Sequence, residues 1–237
     1  KECNFYIVTV PTPIFKNKIP DLRMLINACK LLGKVLKKND IIFFESTVYP
    51  GVTNKICKKT LEKNSGLKSS KDFFLGYSPE RINPGDKKNN LNTINKIVAF
   101  NDKNLKRESI VKNVFKKISK NITFTNDLES AETAKVIENI QRDLNIGLFN
   151  EIFKFCDKAG INFNEVIRLA STKWNFIKFK PGLVGGHCLP VDPYYLSYIS
   201  KKYKLKMEIL LAGRNVNNQM ENYVYEKILN ELDKNKL

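Results

Sequence analysis

The feature that most constrains this chain is a change of apolar period near residue 128. Before it, short runs of β-branched and aromatic residues alternate with helix-length amphipathic stretches. Phe5 to Val10 reads as a buried strand that stops at Pro11-Thr12-Pro13. Asp21 to Leu36 has helical spacing, with Leu22, Leu25, Ile26, Cys29, Leu32 and Leu36 on one side. Further strands are expected over Asp40 to Phe44, Asp72 to Gly76, Ile94 to Ala99 and Asn121 to Thr125. Helices are expected over Val52 to Asn64, closed near Gly66, and over Lys106 to Lys117. Such alternation argues for a parallel sheet with helices on its faces. The polar and Pro/Gly-bearing segments at Pro11, Glu45 and Ser78 follow strands, at the carboxyl ends where open α/β sheets hold ligands.

After residue 128 strand signals cease. Ser130 to Ala159 is periodic and stops at Gly160, which predicts one helix of roughly 45 Å. Ile137, Ile140, Leu144, Leu148, Ile152 and Phe155 form one apolar stripe, and Ile146, Phe149 and Phe153 a second. A helix apolar on two sides needs cover on both, from neighbouring helices or a second subunit. Shorter helices are expected over Asn164 to Ala170 and Pro193 to Tyr203, and a last one from Glu208 towards Leu232. The fold class is therefore α/β: a partial Rossmann-like parallel sheet, then an all-helical central domain built on one long helix. The domain limits are 1–128, 129–228 and a linker from 229 to 237.

Composition removes several classes of function. No run approaches the ~18 apolar residues of a membrane-spanning helix. The first ten residues lack the basic, apolar, small order of a secretory leader. The cysteines at 3, 29, 57, 156 and 188 are odd in number and widely spaced, which argues against a disulfide framework or a zinc site and for a reducing cytoplasm. No metal is expected. Net charge is +17, yet only Arg23, Arg81, Arg107, Arg142, Arg168 and Arg214 are arginine. Lysines scattered through Asn-rich stretches read as solvated surface, and nucleic-acid binding is not expected.

Three places carry residue types suited to chemistry. Lys135, Asn139 and Arg142 lie within about 60° of one another on the long helix, opposite the first apolar stripe. A cation and an amide on one face can hold an oxyanion, and the same pattern also describes a solvated face. In Lys180 to Tyr195, Gly182, Gly185 and Gly186 allow close backbone approach to a ligand beside Cys188 and the lone His187. Cys188 is a candidate nucleophile or a small core residue, and Asp192 before Pro193 suits a helix N-cap with room for a second role. Glu80 is a candidate acid/base or a surface partner of Arg81, and Thr47 a hydrogen-bonder or a turn residue.

Taken together, VTVPTP (Val8 to Pro13), ESTVYPGVT (Glu45 to Thr53), GYSPERINPGD (Gly76 to Asp86), SAETAKVIENIQRDLNI (Ser130 to Ile146), TKWNF (Thr172 to Phe176), PGLVGGHCLPVDPYYL (Pro181 to Leu196) and ILLAGRNVN (Ile209 to Asn217) resemble the UDP-glucose/GDP-mannose dehydrogenase family. The resemblance is strongest to its branch acting on UDP-N-acetylhexosamines. It implies NAD-dependent, four-electron oxidation of a sugar C6 alcohol to a uronate, for surface polysaccharide precursors. By the family pattern Cys188 is the nucleophile, Lys135 and Asn139 the oxyanion-stabilising pair, and Asp192 the carboxylate working with the cysteine. Glu80 and Thr47 match residues that order water and pass protons. Pro11, Thr12, Glu45, Ser46 and Thr47 match the cofactor side. Glu80, Arg81, Arg142, Gly182, Gly185 and Gly186 match the nucleotide-sugar side. The two-sided apolar long helix predicts a homodimer through the helical domain.

Where the UDP-glucose enzymes carry a second Glu, this chain has Pro84, and Leu189-Pro190 follows His187-Cys188 in place of the branch's usual Ile-Gly. No G-x-G-x-x-G phosphate loop is present, so the chain is expected to enter the fold partway through its first domain, to stop before a C-terminal nucleotide-binding domain, and to be inactive by itself. The alternatives are a UDP-glucose or GDP-mannose 6-dehydrogenase, and a non-catalytic interaction or nucleic-acid-binding remnant.

Overall fold

The computed structural model describes residues 3–82, 86, 90–186 and 189–234. Two compact units are resolved, 1–137 and 138–237.

In the first unit, aromatic and β-branched runs form five strands in sheet order β1 to β5: β1 Phe5–Val8, β2 Ile41–Phe44, β3 Phe74–Tyr77, β4 Asn95–Phe100 and β5 Asn121–Thr125. Every residue of β2 and β3 is buried, as continuous apolar strands require when both sheet faces are covered. β1–β2, β2–β3 and β4–β5 are parallel. The exception to the parallel expectation is β3–β4, which is antiparallel through Gly76↔Phe100 and Tyr77↔Ala99. The physical reason lies in the connections. α1 (Arg23–Gly33), α2 (Lys58–Ser65) and α3 (Leu105–Ile118) supply crossovers for the parallel pairs, whereas the described residues between β3 and β4 contain no helix. Ile41, Phe43, Phe74, Val98, Phe100, Val111 and Phe115 form a core cluster. Phe43 stacks on Phe5 at 5.6 Å and meets Phe115 edge-on at 4.7 Å.

The expected helix over Val52 to Asn64 begins as a π-helical segment, Val52–Cys57, that continues into α2. Gly51, at φ 91°, turns the chain into it, in a region that a side chain would strain.

The long helix α4 runs unbroken from Leu128 to Ala159. In the second unit it is followed by α5 (Phe163–Ala170), α6 (Asp192–Ser200), a 3₁₀ turn (Lys201–Tyr203) and α7 (Glu208–Lys234). The backbones of α4 and α7 come close at Gly147 and Gly213: a Cβ on Gly147 would lie 3.0 Å from the Gly213 carbonyl oxygen. Along α4, Ile140 and Phe149 are buried, but Ile137, Leu148 and Phe155 are at least half exposed. The first apolar stripe thus remains largely open in the single chain. The face opposite it, which also suited a solvated surface, is buried instead.

Candidate active site

That buried face holds a row of polar side chains. Glu132, Lys135, Asn139, Asp143 and Asn150 are all buried, and at 100° per residue they fall within about 80° of arc. Burying such groups is costly unless each finds a partner, so the partners define what the face does.

In the first unit, Glu132 serves the start of the π-helical segment. Its Oε2 accepts the Gly51 N–H at 2.6 Å and its Oε1 accepts the Thr53 N–H at 2.9 Å. Gly51 brings no side-chain cap, so Glu132 satisfies orphan helix N–H groups from outside. Burial pushes the Glu132 carboxyl up to about 7, against the opposing pull of these two amide hydrogen bonds.

The loops after β1, β2 and β3 are tied together just beyond the carboxyl ends of the strands. Thr12 Oγ1 donates to the Thr47 carbonyl at 2.6 Å, and Ser46 Oγ donates to the Val10 carbonyl at 2.5 Å. Pro11 is exposed, while Thr12, Glu45 and Thr47 are half-buried. Glu80 Oε1 accepts the backbone N–H groups of Arg81 (2.7 Å) and Ile82 (2.8 Å), and Arg81 Nη1 donates to the Asn95 carbonyl at 2.7 Å. Between the two carboxylates stands Lys96 of β4, 2% exposed, with Nζ 2.9 Å from Glu45 Oε1 and 3.5 Å from Glu80 Oε2. Ser78 Oγ is buried without a partner among the described residues. An unpaired buried hydroxyl after β3, beside loops pinned at Thr12 and Ser46, suits a polar ligand at the strand ends.

In the second unit, Asn139 Nδ2 donates to Asp192 Oδ2 at 2.5 Å, and Arg142 Nη2 donates to Asn139 Oδ1 at 3.0 Å. Asp192 is therefore not the N-cap its position before Pro193 suggests. α6 starts at Asp192 itself, the cap position is Val191, and no side chain caps that end. Asp143 is paired with Arg214 of α7 through Oδ1 and Nη1, both about 1% exposed. Burial raises the Asp143 carboxyl, outweighing the guanidinium beside it. Gly182, Gly185 and Gly186 are exposed, and a Cβ built on any of them would meet nothing within 4 Å, which leaves room for a ligand against the loop. Pro84, His187 and Cys188 lie outside the described residues.

Of the sequence candidates, the fold brings Thr12 to Thr47, Glu45 to Glu80 through Lys96, and Asn139 to Arg142 and Asp192. Sequence reasoning missed Lys96, Glu132, Asp143, Asn150, Arg214 and Asn217. The polar spacing 132, 135, 139, 143 and 150 on one helix was the available signal for the residues on α4.

The NAD binding domain model of the UDP-glucose/GDP-mannose dehydrogenase family matches residues 1–136, and the central domain model of the same family matches 129–219. The chain belongs to this family. It is similar, at 47% identity over 100% of its own length and 56% of the relative's, to the UDP-N-acetyl-D-glucosamine 6-dehydrogenase of Pseudomonas aeruginosa. Protein CapL of Staphylococcus aureus is 47% identical over 98% of this chain and 54% of CapL. Among solved structures, the UDP-D-ManNAc dehydrogenase of Pyrococcus horikoshii superposes with a TM-score of 0.87 at 31% identity, covering 100% of this chain and 55% of that one. The chain thus spans about half the length of the curated relatives it matches.

Proposed function

We propose that the protein of which this chain is part is an NAD-dependent 6-dehydrogenase of a UDP-N-acetylhexosamine, making a uronate for surface polysaccharide. The observation that carries this reading is the Asn139–Asp192 contact on the α4 face that also bears Lys135, in a chain so similar to a relative named for that reaction. UDP-N-acetylglucosamine is the favoured substrate over the mannosamine epimer, because the glucosamine relative is 47% identical and a mannosamine relative 31%.

NAD, when bound, accepts the hydride in each of the two oxidations. The loops fixed by Thr12 and Ser46, with Pro11, Glu45 and Thr47, would hold it. Glu80 and Thr47 order water and carry the proton released as the C6 alcohol becomes an aldehyde. The Cys188 thiolate adds to that aldehyde carbon, its sulfur forming the new C–S bond. Lys135 and Asn139 stabilise the negative charge that develops on the sugar oxygen. After the second hydride leaves, water attacks the thioester carbon and the C–S bond breaks, returning the thiol and releasing the carboxylate. Asp192, held by Asn139, acts on the cysteine's proton. Arg81, Arg142 and the Gly182–Gly186 loop face the nucleotide sugar. The first domain is assigned to 1–128 and the helical domain to 129 onward, with α7 continuing as helix to Lys234 where a linker from 229 was expected. The open stripe of Ile137, Leu148 and Phe155 is covered in a homodimer, and the enzyme works in the cytoplasm.

The test is NADH formation by the full-length protein with UDP-N-acetylglucosamine, UDP-N-acetylmannosamine, UDP-glucose and GDP-mannose. Two NADH per N-acetylhexosamine, lost with Cys188→Ala, is the expected result. Turnover with UDP-glucose or GDP-mannose alone would refute the substrate assignment.

A further inference from the structure

Lys135 of α4 is 8% exposed, and its ammonium has no hydrogen-bond or ion-pair partner among the described residues. No polar contact therefore holds the amine, and where it stands is set by the helix backbone that carries it. That stretch of α4 is tied down one turn earlier. Glu132 is fully buried, and both of its carboxyl oxygens meet the backbone after β2, Oε2 at the Gly51 N–H and Oε1 at the Thr53 N–H. Glu132 and Lys135 are about 4.5 Å apart along the axis and about 60° apart around it, so they share one face.

Gly51 comes four residues after Thr47. On the strand side, this loop is held where Thr12 Oγ1 donates to the Thr47 carbonyl and Ser46 Oγ donates to the Val10 carbonyl. Val48 and Tyr49 are buried, and Glu132 closes the far end. A second link joins the same two elements, Lys55 Nζ to Glu129 Oε1 at 2.8 Å, but its side chains are 51% and 39% exposed and water screens it. Two amide hydrogen bonds inside the core make the stiffer tie.

We propose that Glu132 is a positioning residue for Lys135, fixing the turn of α4 that carries the amine at a set distance from the loop that carries Thr47. The inference rests on the reading of Lys135 as the cation that stabilises the sugar oxyanion. Both Glu132 oxygens face protein amides, so Glu132 acts through the loop and the helix and not on the substrate.

The experiment uses the full-length protein with Glu132→Gln, Thr53→Pro, Glu129→Gln, Lys135→Met, and Glu132→Gln combined with Lys135→Met. Gln keeps the size of Glu132 but turns an NH2 towards one of the two N–H groups, so one tie is lost. Thr53→Pro removes a tie from the loop side, in the first helical turn where a missing N–H breaks no helical bond, and leaves α4 intact. Four readings are taken: kcat well below each melting transition, the KM values for UDP-N-acetylglucosamine and NAD, the melting temperature, and the rate at which trinitrobenzenesulfonate labels Lys135, followed by peptide mass. Glu132→Gln and Thr53→Pro are each expected to lower kcat by about tenfold to a hundredfold, as small misplacements of reacting groups do. Both KM values should stay within about threefold, and the Lys135 labelling rate should change severalfold. Glu129→Gln should stay within about twofold of wild type on every reading. The combined variant should have a kcat within about threefold of Lys135→Met, because the two residues act as one unit. Folded variants with wild-type kcat and wild-type labelling would overturn the proposal. An equal loss in Glu129→Gln, or losses that multiply in the combined variant, would overturn it too. Should Glu132→Gln fail to fold, Thr53→Pro decides by the same criteria. Should the wild type make no NADH, the functional reading fails, and unchanged Lys135 labelling in the variants would separately overturn the positioning role.

Discussion

Asn139 Nδ2 lies 2.5 Å from Asp192 Oδ2, joining the middle of α4 to the first turn of α6. The contact gives the amide a fixed direction and holds the Asp192 carboxyl in a buried place, 2% exposed. Asp192→Asn keeps the size and an oxygen for Asn139 while removing the charge. In the full-length protein it is expected to lower kcat by about 10²–10⁴, the range of a lost acid/base contribution, with the melting temperature nearly unchanged. A variant that keeps half of wild-type kcat would exclude Asp192 from the chemistry.

Glu132 predicts a specific pH dependence of stability. Its folded carboxyl is pushed up by burial from the ordinary 4.5 to about 7. A raised folded pKa stabilises fully below the unfolded value, and the benefit is lost as pH climbs through the folded one. Between pH 5 and pH 8 the wild type should therefore lose about 2–3 kcal/mol relative to Glu132→Gln, which cannot titrate. Urea unfolding of both proteins at the two pH values checks it. Parallel pH profiles would show that the two amide hydrogen bonds outweigh the burial.

Asp143 and Arg214 are a buried pair, and removing one partner leaves the other charge uncompensated. Arg214→Met is expected to destabilise by about 3–5 kcal/mol. Adding Asp143→Asn should recover much of that loss, because the orphaned carboxylate is then gone. Equal unfolding free energies for Arg214→Met and the double variant would show that the pair carries no coupling.

Much of the fold was legible because the period of apolar residues is set by local geometry. The strands and helices fall close to where alternation and helical spacing put them, and α4 ends at Ala159 before Gly160. What sequence could not show was long-range pairing. Residues 78–94 carry turn chemistry but no sign of whether the next strand runs parallel, and β4 pairs antiparallel with β3. In the same way Asp192 looked like a cap because its neighbour is Pro193, while its partner Asn139 is 53 residues away. Lys135 and Asn139 were visible as a face but not as a buried one, since partners such as Gly51 for Glu132 and Gly182 for Asn150 come from distant loops.

Lys96 was invisible for the same reason, as one lysine among many, yet it is the one that stands between Glu45 and Glu80. The Lys96 side chain is 3% exposed and that of Glu45 13%, so their contact is screened far less than a surface pair, whereas Glu80 at 43% lies at the open edge. Lys96→Met fills a similar volume and strands the Glu45 carboxylate, which should destabilise the fold by about 3 kcal/mol. Lys96→Met with Glu45→Gln removes both charges and should regain most of it, but Glu80 still loses its cation. The double variant is therefore expected to unfold near the wild-type urea midpoint while its kcat stays below that of Glu45→Gln alone, which separates the two tasks of Lys96. If kcat returns together with stability, Lys96 serves the fold alone and Glu80 owes its placement to the Arg81 and Ile82 amides.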